Sequence, residues 1–242
     1  MERLKADELV AMIERVFEPK AEDTALAVLV DLPDEALPDH DAWAQRRDIA
    51  AGWVRELQGS RSGHGLDVDL VAYRNVRANN ADLPDSAWIC PPDELPAAAD
   101  DLADGDAQSF AAILDRHRLV LAPTELSATA PLKVLSGRHR CRGATMPGFT
   151  PEMVPALRLD YTEVNRRVHL LKGLLDRAVG ADCEFVVDGG ARHTLHLDLR
   201  HRTAHASGGL LPDPGTAGNL PSGEAYIVPY EGELDGDPTT TR

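Results

Sequence analysis

Four histidines, His193, His196, His201 and His205, lie within thirteen positions of one another, with Asp188 and Asp198 among or beside them. Imidazole and carboxylate groups are good ligands for divalent transition metals, so the cluster is a candidate metal centre. Its spacing argues against that use. Side chains alternate faces along a strand, which puts His193 with Leu195, Leu197 and Leu199, and His196 with Thr194, Asp198 and Arg200. Solvated or hydrogen-bonded histidines are the expectation there. A second candidate is the passage Gly218–Pro229, where a Pro/Gly-shaped loop delivers Glu224 at the mouth of the short apolar run Ala225-Tyr226-Ile227-Val228. Loops held by a rigid scaffold commonly carry function, although an ordinary solvated glutamate is the simpler account of the residues alone.

Other chemistries lack their signatures. No GxGxxG follows a strand and no GxxxxGK[ST] occurs, so a nucleotide phosphate site is unsupported. Ser207 and Ser222 do not sit in a G-x-S-x-G elbow. Cys90, Cys141 and Cys183 form no CxxC pair and read as small core residues of a reducing compartment.

The elements that must position these residues follow from periodicity. Helical spacing marks 4–17, 39–58 and 106–118, while continuous apolar runs mark strands at 25–30, 68–73 and 119–123, with shorter ones at 88–90 and 141–147. Strands alternating with helices imply βαβ units and an open, mainly parallel sheet flanked by helices. Residues 127–139 read as a helix start or a loop. A helix is expected over 160–179, with Asp160 as N-cap, Gly180 as terminator, and Val164, Val168, Leu171, Leu175 and Val179 on one stripe. After it the period changes to two: strands at 184–187 and 193–199 flank the turn Asp188-Gly189-Gly190-Ala191, and 207–221 reads as loop. The predicted organisation is an N-terminal α/β domain, 1–158, and a linking helix with the start of a β-rich catalytic domain, 159–242.

Charge narrows the partners. Among 242 residues, 25 Lys+Arg stand against 40 Asp+Glu, a net charge of −15. A polyanionic partner would be repelled, so neither nucleic acid nor an anionic membrane surface is expected. No apolar run approaches the ~20 residues that span a bilayer, and the N-terminus lacks an apolar signal segment. A cytoplasmic location is the expectation.

Asn219-Leu220-Pro221-Ser222-Gly223-Glu224 with Pro229 resembles the N-L-P-x-G-E-x-x-x-x-P segment of aminopeptidase T-like metallopeptidases, also called thermophilic or leucyl aminopeptidases. Upstream, Gly143-Ala144-Thr145-Met146-Pro147-Gly148, Glu152-Met153 and Asp160-Tyr161 are similar to that family's passage before its linking helix. Between the two, Asp198-Leu199-Arg200 and Gly208-Gly209 fall where the family carries a strand hairpin and a glycine-bearing loop. The resemblance spans roughly residues 115–230. It implies release of N-terminal residues from peptides at a pair of divalent cations (zinc, cobalt or magnesium), with Glu224 as the first metal ligand and with homodimers. Two cations about 3.5–4 Å apart clamp a carbonyl and generate hydroxide near neutral pH.

The family's remaining ligands lie well downstream of the first, and no position here matches them, so no catalytic residue is assigned. The expectation is therefore an N-terminal fragment or truncated member, inactive alone and exposing apolar surface that a longer protein would cover. Two alternatives stand beside it. One is an iron-dependent ring-cleaving dioxygenase of the same fold, since those dioxygenases resemble the peptidases and share the Gly-Glu loop. The other is a noncatalytic α/β binding module.

Overall fold

Ala25–Leu32 forms strand β1, and all eight of its residues are buried, as a run that is apolar on both faces demands. A computed structural model describes residues 2–231; Met1 and the polar tail 232–242 lie outside the described residues. Helices are α1 (Ala6–Phe17), α2 (Asp41–Gly59), the short α3 (Arg61–His64), α4 (Phe110–Arg116), α5 (Thr129–His139) and α6 (Tyr161–Leu175). The further strands of the first unit are β2 (Asp67–Arg74), β3 (Ser86–Cys90), β4 (Gln108–Ser109), β5 (Leu119–Ala122), β6 (Arg142–Thr145) and β10 (Ala217–Asn219). Those of the second are β7 (Gly180–Val186), β8 (Arg192–Asp198), β9 (His205–Ser207) and β11 (Glu224–Tyr226). The first unit takes residues 1–159 and 209–221; the second takes the rest.

The first unit is a seven-stranded sheet in the order β10-β6-β5-β1-β2-β3-β4. From β10 to β2 all neighbours are parallel, and β3 and β4 close one edge antiparallel. This is the α/β architecture with a mainly parallel central sheet that the alternating pattern predicts. Ala27, Leu29, Val71, Tyr73, Val120 and Ala122 pack one face against Phe110, Ile113 and Leu114 of α4 and Leu132 of α5. Alternation sends Leu26, Val28, Leu70 and Leu121 to the opposite face, and α2 packs on β1 and β2. No described helix is long and apolar enough to cross a membrane.

One feature of this unit escaped the sequence reading. Residues 207–221 contain β10, which joins the sheet beside β6 in parallel register, Ala217 opposite Gly143. Gly143 eases that pairing, because an added Cβ would sit 3.3 Å from Ala217 Cβ, a tight contact. Of the two readings open for residues 127–139, helix start or loop, the structure gives the helix, α5, over Thr129–His139.

In the second unit, Asp160 caps α6 as predicted, accepting from the N–H of Thr162 (3.0 Å) and Glu163 (3.3 Å). The predicted end is wrong: α6 stops at Leu175, Asp176 is its C-cap, and Gly180 opens β7. The predicted stripe is covered only in part. Tyr161 and Val168 are buried, whereas Leu171 is 49% and Val179 73% exposed. The physical reason is supply of surface: α6 packs on β9 and β11, three residues each, which cover only its first turns. β7 and β8 pair antiparallel around the predicted turn, where Gly189 and Gly190 take φ of +87° and +80°.

Candidate functional site

Glu224 begins β11, which pairs antiparallel with β9 in the register Glu224–Ser207, Ala225–Ala206, Tyr226–His205. Residues directly opposite point the same way, so Glu224, Tyr226, His205 and Ser207 share one face of this ladder. His205 is stacked on Tyr226, ring centroids 5.2 Å apart. Glu224 is exposed, and its carboxylate meets no described side chain. The loop before it is fastened through Ser222, whose hydroxyl donates to Ser207 O at 2.7 Å.

Gly208 lets this ladder lie against α6. A Cβ there would come within 2.7 Å of Asn165 Cα, a backbone atom that cannot swing aside. Gly208→Ala is expected to cost about 1–3 kcal/mol, as overpacking does. Urea unfolding followed by circular dichroism measures it, and an unchanged midpoint would show that α6 and β9 are not in firm contact.

The histidine cluster is dispersed, in line with the alternation argument. His196 Nδ1 lies 2.7 Å from Asp182 across the β7–β8 ladder, His205 is on Tyr226, and His201 sits in a turn at φ +58°. Asp198 is committed to Arg200, which donates to it through Nε (3.0 Å) and Nη2 (2.6 Å); these bonds hold its carboxyl down at about 2. Among the described residues no group of three or more His, Cys, Asp or Glu is placed to hold a metal ion. Burial raises the thiol pKa of Cys90 and Cys141; Cys141 is the core residue expected, whereas Cys90 and Cys183 are only partly buried.

The first unit carries a different polar centre. In an open α/β sheet, ligands enter outside the carboxyl ends of strands where the order reverses. Here that point lies between β1 and β5, because β2 is laid down on one side of β1 and β5 and β6 on the other. Asp31, one residue before the end of β1, is 1% exposed and staples the crevice shut. Its Oδ1 accepts from the N–H of Glu125 (2.7 Å) and from Trp43 Nε1 (3.1 Å), and its Oδ2 from the N–H of Leu126 (2.9 Å). Glu125 in turn binds the guanidinium of Arg46, itself buried and donating through Nε to Phe149 O at 2.9 Å. His40 Nε2 lies 3.4 Å from the same glutamate, while its Nδ1 caps α2 by accepting from the N–H of Trp43.

Beside this staple, at the carboxyl ends of β1 and β2, lies a cavity of about 650 Å³ lined by Asp34, Glu35, Arg74, Asn75, Arg77 and Asp100, among others. Both of its arginines are engaged. Arg77 donates to Asp34 at 2.8 Å, and Arg74 donates to Ala99 O at 2.9 Å while lying over the Trp88 ring. Carboxylates, guanidinium groups and the Asn75 amide line it, a polar composition suited to a polar molecule. Sequence reading missed Arg46, Glu125 and these arginines. The available signal was position: Asp31 terminates an apolar run, and charged residues follow the ends of both β1 and β2.

No family model matches the chain, and no curated protein matches it. A similar solved structure is the 2,5-dihydroxypyridine dioxygenase from Pseudomonas putida KT2440, with a TM-score of 0.54 and 17% identity. The match covers 95% of this chain and 58% of that one, so the chain spans under two thirds of the dioxygenase's length. At this identity the likeness is one of fold. The similar structure is that of a dioxygenase and not of an aminopeptidase, which corrects the aminopeptidase expectation and with it the hydrolase and protease readings.

Proposed function

We propose that this chain is the α/β scaffold of a ring-cleaving, iron-dependent oxidoreductase, and that it offers Glu224 as one oxygen ligand toward the metal. The observation that supports the reading is the combination of fold likeness along nearly the whole chain with a strand-borne carboxylate, without a partner among the described residues, at the start of β11. A non-haem iron of this kind is held by two histidines and one carboxylate, and activates dioxygen when bound. The described residues do not fit that set by themselves, because no group of three or more His, Cys, Asp or Glu among them is placed to hold a metal ion. The remaining ligands therefore come from outside residues 2–231, and no chemical step is assigned to this chain's side chains.

Anaerobic calorimetric titration with Fe(II) tests the reading. Weak binding is expected, reduced by about tenfold or more in Glu224→Gln, which is the loss of ~1.4 kcal/mol or more from the removed charge. Equal Fe(II) affinity in wild type and Glu224→Gln would overturn it. A noncatalytic α/β binding module is the second reading, favoured by the stapled switch point at Asp31. On that reading Fe(II) leaves the melting temperature where it was.

A further inference from the structure

The first unit holds a second cavity, about 670 Å³, between the segment entering α1 and the outer side of α2. Its α2 wall is a single helical stripe, Ile49, Gly52, Trp53, Glu56 and Gly59, with Arg55 at the edge. Arg3, Leu4 and Lys5 form the opposite wall. Three cations and one carboxylate thus line a hollow in a chain whose net charge is −15. Arg55 is held at the rim by Asp93 (2.8 Å) and Pro92 O (3.0 Å). The side chains of Arg3 and Lys5 form no ion pair with any described residue. Below the cations, Leu4, Ile49 and Trp53 make an apolar floor, and each is buried.

Gly52 adds an independent observation. It lies in the interior of the 19-residue α2, where glycine is destabilising relative to alanine. Close packing does not require it: a Cβ would meet only Arg3 Nη1, at 4.0 Å. What the missing side chain leaves open is the hollow itself. Gly59, on the same stripe, likewise has nothing within 4 Å of an added Cβ.

We propose that this cavity binds a small organic carboxylate with an apolar body, its anionic end between Arg3 and Lys5 and its body over Leu4, Ile49 and Trp53. The volume falls in the range of about 300–1,000 Å³ typical of small-molecule sites, and an apolar floor with a few convergent charges is the usual composition of such sites. The site is separate from β11 and does not depend on the iron reading.

Titration of the full chain with 2-naphthoate, followed by calorimetry, tests the proposal, with 2-naphthamide as the uncharged analogue. Saturable naphthoate binding is expected, with naphthamide about tenfold weaker, the share of one charge-assisted contact. The double variant Arg3→Gln/Lys5→Gln should lose that discrimination. Gly52→Leu should abolish binding by filling the hollow, while Gly52→Ala should bind as wild type with a melting temperature no lower. Equal affinity for naphthoate and naphthamide, undiminished binding in Gly52→Leu, or no saturable binding at millimolar naphthoate would each overturn the proposal.

Discussion

Arg142→Met is expected to destabilise the protein by about 3–5 kcal/mol, the effect of removing one partner from a buried ion pair. Arg142 lies in β6 with 1% of its side chain exposed, and it pairs with Asp23, 5% exposed, in the turn before β1. Its Nη1 also donates to Phe17 O (2.6 Å), where α1 ends, and to Pro212 O (3.1 Å). One guanidinium thus ties the end of α1, the turn before β1 and the segment leading to β10 around the strand that carries it. Without it, Asp23 keeps only the Lys20 N–H as a donor, and two carbonyls lose theirs. Replacing both members of a buried pair by apolar residues removes the stranded charge, so Arg142→Met/Asp23→Leu should recover part of the loss. Urea unfolding of the two single variants and the double variant closes this cycle. A cost under about 1 kcal/mol for Arg142→Met, the range of an exposed pair, would show that the guanidinium reaches solvent.

The contrast between what periodicity revealed and what it hid follows from the range of the forces involved. β1, β2 and β5 were legible because a strand sandwiched between helices must be apolar on both faces, and that condition is written in consecutive residues. Arg142 was read merely as part of a short strand. Its meaning depends on Asp23, 119 positions away, and no local pattern joins them. β10 was hidden for a related reason: Ala217-Gly218-Asn219 is too short and small to signal a strand, and it becomes one only because β6 offers a free edge. The α6 stripe departs in the opposite direction. Its amphipathic spacing is real, yet burial needs an opposing surface, and β9 and β11 supply little of it.

The candidate sites divide along the same line. Glu224 stood out because a Pro/Gly-shaped loop surrounds it, whereas the Asp31–Glu125–Arg46–His40 network is assembled from three chain segments. The histidine cluster shows that closeness in sequence is a poor guide. Strand alternation and a turn residue sent its members to different partners.

Asp31→Asn carries the second large expected effect, about 2–4 kcal/mol near neutral pH. The wild-type carboxylate receives three N–H donors and faces no acceptor: Glu125 and Trp43 on Oδ1, Leu126 on Oδ2. An asparagine satisfies one side with its oxygen and turns its own NH₂ toward a remaining donor. A buried donor is then left without a partner, and the charge-assisted bonds become neutral ones. The pH dependence has a definite sign. Burial, working against those three hydrogen bonds, raises the Asp31 carboxyl above its ordinary value of 3.8. The native protein therefore holds this proton at pH values where the unfolded chain has released it. A raised folded-state pKa contributes stability that is complete below the ordinary carboxylate range and is lost as the pH rises through the raised value. Asparagine does not titrate, so the stability gap between wild type and Asp31→Asn should widen as the pH falls from neutral toward about 4. The other carboxyls are common to both proteins and cancel in the difference. Paired urea unfolding curves across that interval measure the gap. A gap that narrows on acidification would mean that the three donors outweigh burial, and that Asp31 closes the switch point as a stable anion.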